Sequence, residues 1–306
     1  MGQLLIRDLK REWKILCLTE ILLCLIPVLL VIVYIDRKEV LFKIFAAVFA
    51  APEEVYALFG LVSGTSTGSI LFYMRFLMMF LNIFYICYSC IRIGRNVFYY
   101  NHNGSLFTLF VWYSRRKFLI EKYLWTVFSS VLVYIVFYLF AGLMLIKGSV
   151  TTDIAMDNFH KFIPGMYDGI IVLVILMSLT FMTVMFGNKS IEKDGVGWAV
   201  FWSIGCMLVG NLYKLPGIIY LVGDRMGINI VRNTNLIETL KYLKNISFLS
   251  WLNPYETGIN LVYKIVICLV ITVFSVVISD IIYERKNLNI YFKFKISLTL
   301  ICKFVL

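Results

Sequence analysis

RIGRNVFYYNHNGSLFTLFVWYSRRKFLIEK, residues 92–122, separates two apolar runs, each about the length a helix needs to cross hydrocarbon. It carries six basic residues (Arg92, Arg95, Arg115, Arg116, Lys117 and Lys122) against one acid, Glu121. A basic connection between two such runs points to a multi-span membrane protein, and the composition agrees. Of 306 residues, 61% are hydrophobic and 15% charged, and mean hydropathy is +0.86, well outside the range of water-soluble domains.

Working outward, six helical spans are expected at about 15–35, 69–91, 119–145, 168–187, 196–222 and 259–283. The first run is too long for the core of a cleavable signal peptide and is expected to be retained. Pro27 predicts a kink in it, and Lys214 and Pro216 interrupt the far end of the fifth. Residues 1–14, MGQLLIRDLKREWK, put Leu5, Leu9 and Trp13 at helical spacing with Arg7, Asp8, Lys10 and Arg11 between them. That is the pattern of an amphipathic helix lying in the membrane surface, although a solvated extension of the first span fits it too. The expected fold is therefore an all-α integral membrane protein of six transmembrane helices. An N-terminal interfacial helix (1–14) precedes a transmembrane domain (15–283), and a basic tail (284–306) follows. The tail alternates Ile290, Phe292, Phe294 and Ile296 with polar residues, a strand period whose conformation the sequence leaves open.

Charge placement sets the expected orientation. With both termini inside, the segments 1–14, 92–122, 188–195 and 284–306 hold seventeen Lys and Arg against six acids. That excess of eleven equals the net charge of the whole chain, +11, so the remainder is balanced. This is the positive-inside pattern, and it accounts for the basic charge with no nucleic-acid partner. Multi-pass insertion in a cell membrane with both termini cytoplasmic follows. The outer loops fall at 36–68, 146–167 and 223–258. The first holds two apolar patches too short to span, Ile44–Ala51 and Val55–Val62, and the last places Leu236, Leu240 and Leu243 at helical spacing.

The sequence carries none of the common catalytic signatures. The two histidines, His102 and His160, fall on opposite sides of the expected membrane, which excludes a His-rich metal site. No nucleophile elbow or HExxH motif occurs, and Gly187-Asn-Lys-Ser190 lacks the Gly-Lys-Ser/Thr core that cradles phosphates. The chain is expected to be no enzyme, with no metal or cofactor of its own. Its seven cysteines (Cys17, Cys24, Cys87, Cys90, Cys206, Cys268 and Cys302) all lie in apolar runs, where packing is their expected role. Glu20, Arg75 and Asp280 stand out as charges inside spans, candidates for gating or for local pairing. Gly60-x-x-x-Gly64, Gly64-x-x-x-Gly68 and Gly165-x-x-x-Gly169 fall in expected loops, so their spacing is not read as helix packing.

Within the opening stretch, Gly104-Ser-Leu-Phe-Thr-Leu109, then Ser114-Arg115, then Lys122, resembles the first cytoplasmic loop of type-2 ATP-binding-cassette (ABC) exporter permeases. In that family a Gly-Thr-Leu helix precedes Pro-x-Ser-Arg and a Lys opens the third span. Here Ser105 stands for the Thr, Trp112 for the Pro, and Tyr100 and His102 for acids often found before the glycine. Ser250-Trp-Leu-Asn-Pro254-Tyr255 is similar to the family's approach to its sixth span. The resemblance implies a permease subunit that pairs with a second permease, as a homo- or heterodimer in the bacterial cell membrane, and with two cytoplasmic ABC ATPase subunits that bind ATP and Mg. It implies a coupling helix around 101–112 docking on the ATPase, with Asn101, Gly104, Leu106, Leu109, Phe110, Arg115 and Arg116 as its contact residues. The expected activity is export of an amphipathic substrate, with peptide efflux or antimicrobial-peptide immunity favoured. Two other classes fit the same span pattern: a non-transporting membrane scaffold or sensor using the same loop, and a membrane-embedded enzyme.

Overall fold

The computed structural model describes residues 2–40, 70–102, 115–186, 197, 201–205, 251–252 and 260–282. The described residues are helical throughout, apart from short connections. They form α1 (Gly2–Asp36), α2 (Ile70–His102), α3 (Arg115–Lys147), α4 (Thr152–Phe162), α5 (Pro164–Phe186) and α6 (Leu261–Ile282), with a π-helical turn at Phe201–Gly205. Five stretches are long and apolar enough to cross a membrane: Trp13–Asp36, Ile70–Asn96, Leu119–Lys147, Thr152–Met185 and Leu261–Ile282. This is a multi-pass, all-α membrane architecture. The sequence-expected spans at 15–35, 69–91, 119–145, 168–187 and 259–283 each fall on one of these helices. Of the expected span at 196–222 only 197 and the turn at Phe201–Gly205 are described, and the loop patches at 44–51 and 55–62, most of 223–258 and the tail 284–306 lie outside the described residues.

Helix is the conformation these runs must take, since hydrocarbon offers no partner for an open backbone N–H or C=O. Three helices run further than the hydrophobic pattern alone required. α1 continues unbroken from Gly2 to Asp36, about 52 Å at 1.5 Å per residue, against about 30 Å of hydrocarbon. The segment 1–14 is thus continuous with the first span, where a separate interfacial helix was the first expectation. α2 extends to His102, so Arg92 to Asn101 are helical and not part of a loop. α3 starts at Arg115, and the connection between them shrinks to 103–114. At the other end, the expected loop 146–167 contains an eleven-residue helix, α4. Thr151 caps it, its hydroxyl accepting from the Ile154 N–H at 3.4 Å, and Asp153 sits in its first turn, where the helix dipole favours an acid.

Packing centres on α5. It touches α2 most extensively and also α3 and α4, while α1 lies against α3 and α2 on the outside. Between residues 171 and 185 no α5 side chain is exposed, and the most apolar part of the Thr152–Met185 span is 72% buried. The corresponding stretches of α1 and α6 are 17% and 11% buried. Close approach of α5 to α3 depends on Gly165 and Gly169. A Cβ at either position would overlap the hydroxyl of Tyr138 or Tyr134 respectively. The expectation that this glycine pair lies in a loop is therefore corrected: both sit in the first turns of α5, and the four-residue spacing presents them to two tyrosines, also four apart, on α3.

Candidate functional site

Three clusters of polar side chains lie inside this apolar bundle. The first laces α2 to α3 near the 103–114 connection. Arg92, only 8% exposed, donates from Nη2 to Ser129 Oγ at 2.8 Å and from Nη1 to Ser130 Oγ at 3.2 Å. Ser129 donates in turn to the Trp125 carbonyl one turn back, at 2.8 Å, which leaves its lone pairs free to receive the guanidinium. One turn along α2, Asn96 donates to Thr126 Oγ1 at 3.3 Å. Tyr85 donates to the Ser130 carbonyl at 2.7 Å, and Tyr134 to Asn82 Oδ1 at 3.0 Å. From the sequence, Arg92 is expected in the loop as a topology-setting charge. The structure buries it between two helices, and the signal that could have shown this is the Ser129-Ser130 pair deep in an aromatic-rich span.

The second cluster closes the opposite end. Arg75 Nη2 donates to the Lys161 carbonyl at 2.6 Å, and Tyr138 donates to the Phe162 carbonyl at 3.4 Å while its ring stacks on Phe162 at 4.5 Å. Those carbonyls are the last two of α4, which have no acceptor role left inside the helix, and a cation there also complements the helix dipole. Arg75 thus docks α4 onto α2.

The third cluster joins α5 to α6. Lys264 Nζ lies 2.7 Å from Asp168 Oδ1, with the two side chains keeping 9% and 20% of their surface, and 5.9 Å from the centre of the buried Trp251 ring. Deeper, Tyr123 OH and Ser178 Oγ are 2.6 Å apart, and Ser178 Oγ and Thr272 Oγ1 are 3.3 Å apart. Neither partner of this ion pair stands out in the sequence. Asp168 stands at the border of an expected loop, and Lys264 lies in an expected span whose candidate charge is Asp280.

The named candidates are scattered among these clusters. Glu20, on α1, accepts from the Cys24 thiol at 3.6 Å, an interaction within one helix. Arg75 belongs to the α4 end, whereas Asp280 lies sixteen residues beyond Lys264, toward the other end of α6. Arg75 is therefore not grouped with the other two. Asn101 is the penultimate residue of α2, and Arg115 and Arg116 open α3. Gly104, Leu106, Leu109 and Phe110 lie outside the described residues. Among the described residues no disulfide forms, and no group of three or more His, Cys, Asp or Glu side chains is placed to hold a metal. Comparison with protein-family models, with curated proteins and with solved structures finds no match.

Proposed function

We propose that this chain is the membrane-spanning permease subunit of an ATP-driven ABC exporter, acting with a second permease and separate ATPase subunits. The observation that carries the reading is the Arg92–Ser129–Ser130 and Asn96–Thr126 lacing at the base of the α2–α3 hairpin. Both helices continue past their apolar stretches, α2 from Asn96 to His102 and α3 from Leu119 back to Arg115. A hairpin locked at its base moves as one lever, so a push on residues 103–114 reaches the span interior as a rigid-body displacement. The apolar Leu106, Leu109 and Phe110 of that connection, resembling the coupling helix of type-2 permeases, supply the surface to be pushed.

A sixth span belongs to the proposal. Asp168 and Lys264 each lie near the start of their helix and pair with each other, so α5 and α6 run in the same direction. That shared direction supports one further span between them, near 196–222. The positive-inside pattern supports a cytoplasmic position for the 103–114 connection and for both termini. The substrate class is amphipathic, with peptides favoured by the small outer loops.

Purification from membranes in mild detergent is the test. A co-purifying Walker-motif ATPase is expected, and the double substitution Leu106→Asp/Leu109→Asp should abolish its recovery while leaving membrane insertion unchanged. Absence of any ATPase, or its retention by the double variant, would remove this reading in favour of a non-transporting scaffold.

A further inference from the structure

α6 is the least buried of the described spans, yet a polar stripe runs along the face it turns inward, beside Ile267, Ile271 and Val276. Lys264, Cys268, Thr272, Ser275 and Ser279 recur at four- and three-residue steps, one stripe on a helix. Lys264, Ser275 and Ser279 are buried, the two serines completely, while Val262, Leu269, Val270, Val273 and Phe274 on the other side are about half exposed or more. Opposite the stripe stand Asp168, the Ile171 carbonyl, which receives the Cys268 thiol at 3.9 Å, and Ser178, bridged onward to Tyr123. Ser279 satisfies itself on the Ser275 carbonyl at 2.7 Å. Ser275 does not: its Oγ is fully buried and has no hydrogen-bond partner among the described residues. A serine on a helix can turn back to the carbonyl one turn earlier at little cost, so an open hydroxyl on a polar stripe calls for a partner from outside the protein.

We infer that the α5–α6 seam is a water-accessible path. It leads from the Asp168–Lys264 pair past Cys268 and Thr272 to Ser275, about 16 Å further along α6 at 1.5 Å per residue. The hydroxyls along it donate and accept without carrying charge, which suits water. The ion pair at its mouth keeps the local charge at zero. Packing through hydroxyl groups alone, the ordinary glue between membrane helices, would leave the same seam dry. The inference does not depend on the exporter reading and stands or falls separately.

Thiol chemistry distinguishes the two, because the reactive thiolate forms in water and not in hydrocarbon. The full-length protein in native membranes is treated with a small hydrophilic methanethiosulfonate reagent, and modification is read peptide by peptide by mass spectrometry. Cys268 reports the upper seam, Cys90, fully buried on α2, is the dry internal control, and neither needs a substitution. Ser275→Cys reports the deep end, and Val273→Cys, facing away from the seam, controls for access through lipid. Cys268 and Ser275→Cys are expected to react about tenfold faster or more than Cys90 and Val273→Cys. Reaction of Cys268 and Ser275→Cys no faster than the two controls overturns the inference. So does reaction of Cys268 with Ser275→Cys as slow as the controls, since the path would then end at the surface. If Ser275→Cys does not accumulate, Thr272→Cys, one turn nearer the mouth, takes its place under the same criterion.

Discussion

α5 and α6 share an ion pair and a direction, and they differ in where their side chains go. α6 is the more apolar, with mean hydropathy 2.8 against 2.2 for the span that contains α5, yet it is 11% buried against 72%. In water the order would be reversed, because apolar surface is driven inside. In hydrocarbon, lipid tails accept Val and Leu as readily as a protein core does, so burial goes to helices that offer close approach and hydrogen bonds. α5 offers both: Gly165 and Gly169 under two tyrosines, and Asp168 and Ser178 toward α6. α6 has one polar stripe to offer and turns it inward. Most apolar residues of α6, Leu269, Val270, Val273 and Phe274 among them, then face outward by default.

That contrast can be tested through stability, measured as thermal unfolding of the protein in lipid nanodiscs. The largest effect is expected at the ion pair. Lys264→Met leaves Asp168 charged in an apolar setting and should cost about 3 kcal/mol, the low end for a broken buried pair because Asp168 keeps a fifth of its surface. The double variant Asp168→Asn/Lys264→Met should recover most of the loss. If it does not, the pair is not what joins the two helices.

Next comes the α3–α5 contact. Gly169→Ala puts a methyl onto the Tyr134 hydroxyl and should cost about 2 kcal/mol by overpacking. Tyr134→Phe in the same chain should return only part of that, because a ring carbon of Tyr134 also lies 2.6 Å from the added Cβ. Full tolerance of Gly169→Ala by the wild-type partner would mean that α5 is not held this close.

A smaller effect is expected at the α4 end. Arg75→Gln removes the cation from the last turn of α4 and should cost about 1 kcal/mol, seen as faster hydrogen exchange confined to residues 152–162. An exchange change spread over α2 and α5 would assign Arg75 a wider role. The smallest belongs to the outer face of α6, where Leu269→Val and Val270→Leu should each stay within about 0.5 kcal/mol. A larger loss there would show that this face meets protein and not lipid.

Much of the architecture was legible in the chain. The apolar runs placed four of the five described spans to within several residues, because the length and polarity rules of the bilayer act on local sequence, while the fourth begins at Thr152, sixteen residues before its expected start. The helix ends were less legible: α2 continues through Arg92 to His102, since a basic residue is no obstacle to helix once serines on α3 receive it. Two of the three charges singled out, Glu20 and Arg75, make local or helix-capping contacts. The pair that binds helices together, Asp168 and Lys264, is not legible in the sequence, because its members are 96 residues apart and nothing in either neighbourhood names the other.

By itself, then, the sequence determined that this is an all-helical membrane protein, where most of its spans run, and that it has no recognisable catalytic motif. Only the tertiary structure decided that α5 is central and α6 peripheral, that Gly165 and Gly169 are packing residues, and that Arg92 is an interior tie. The physical reason is common to all three. Lipid and protein interior look alike to an apolar side chain, so hydropathy says that a helix enters the membrane without saying what it meets there.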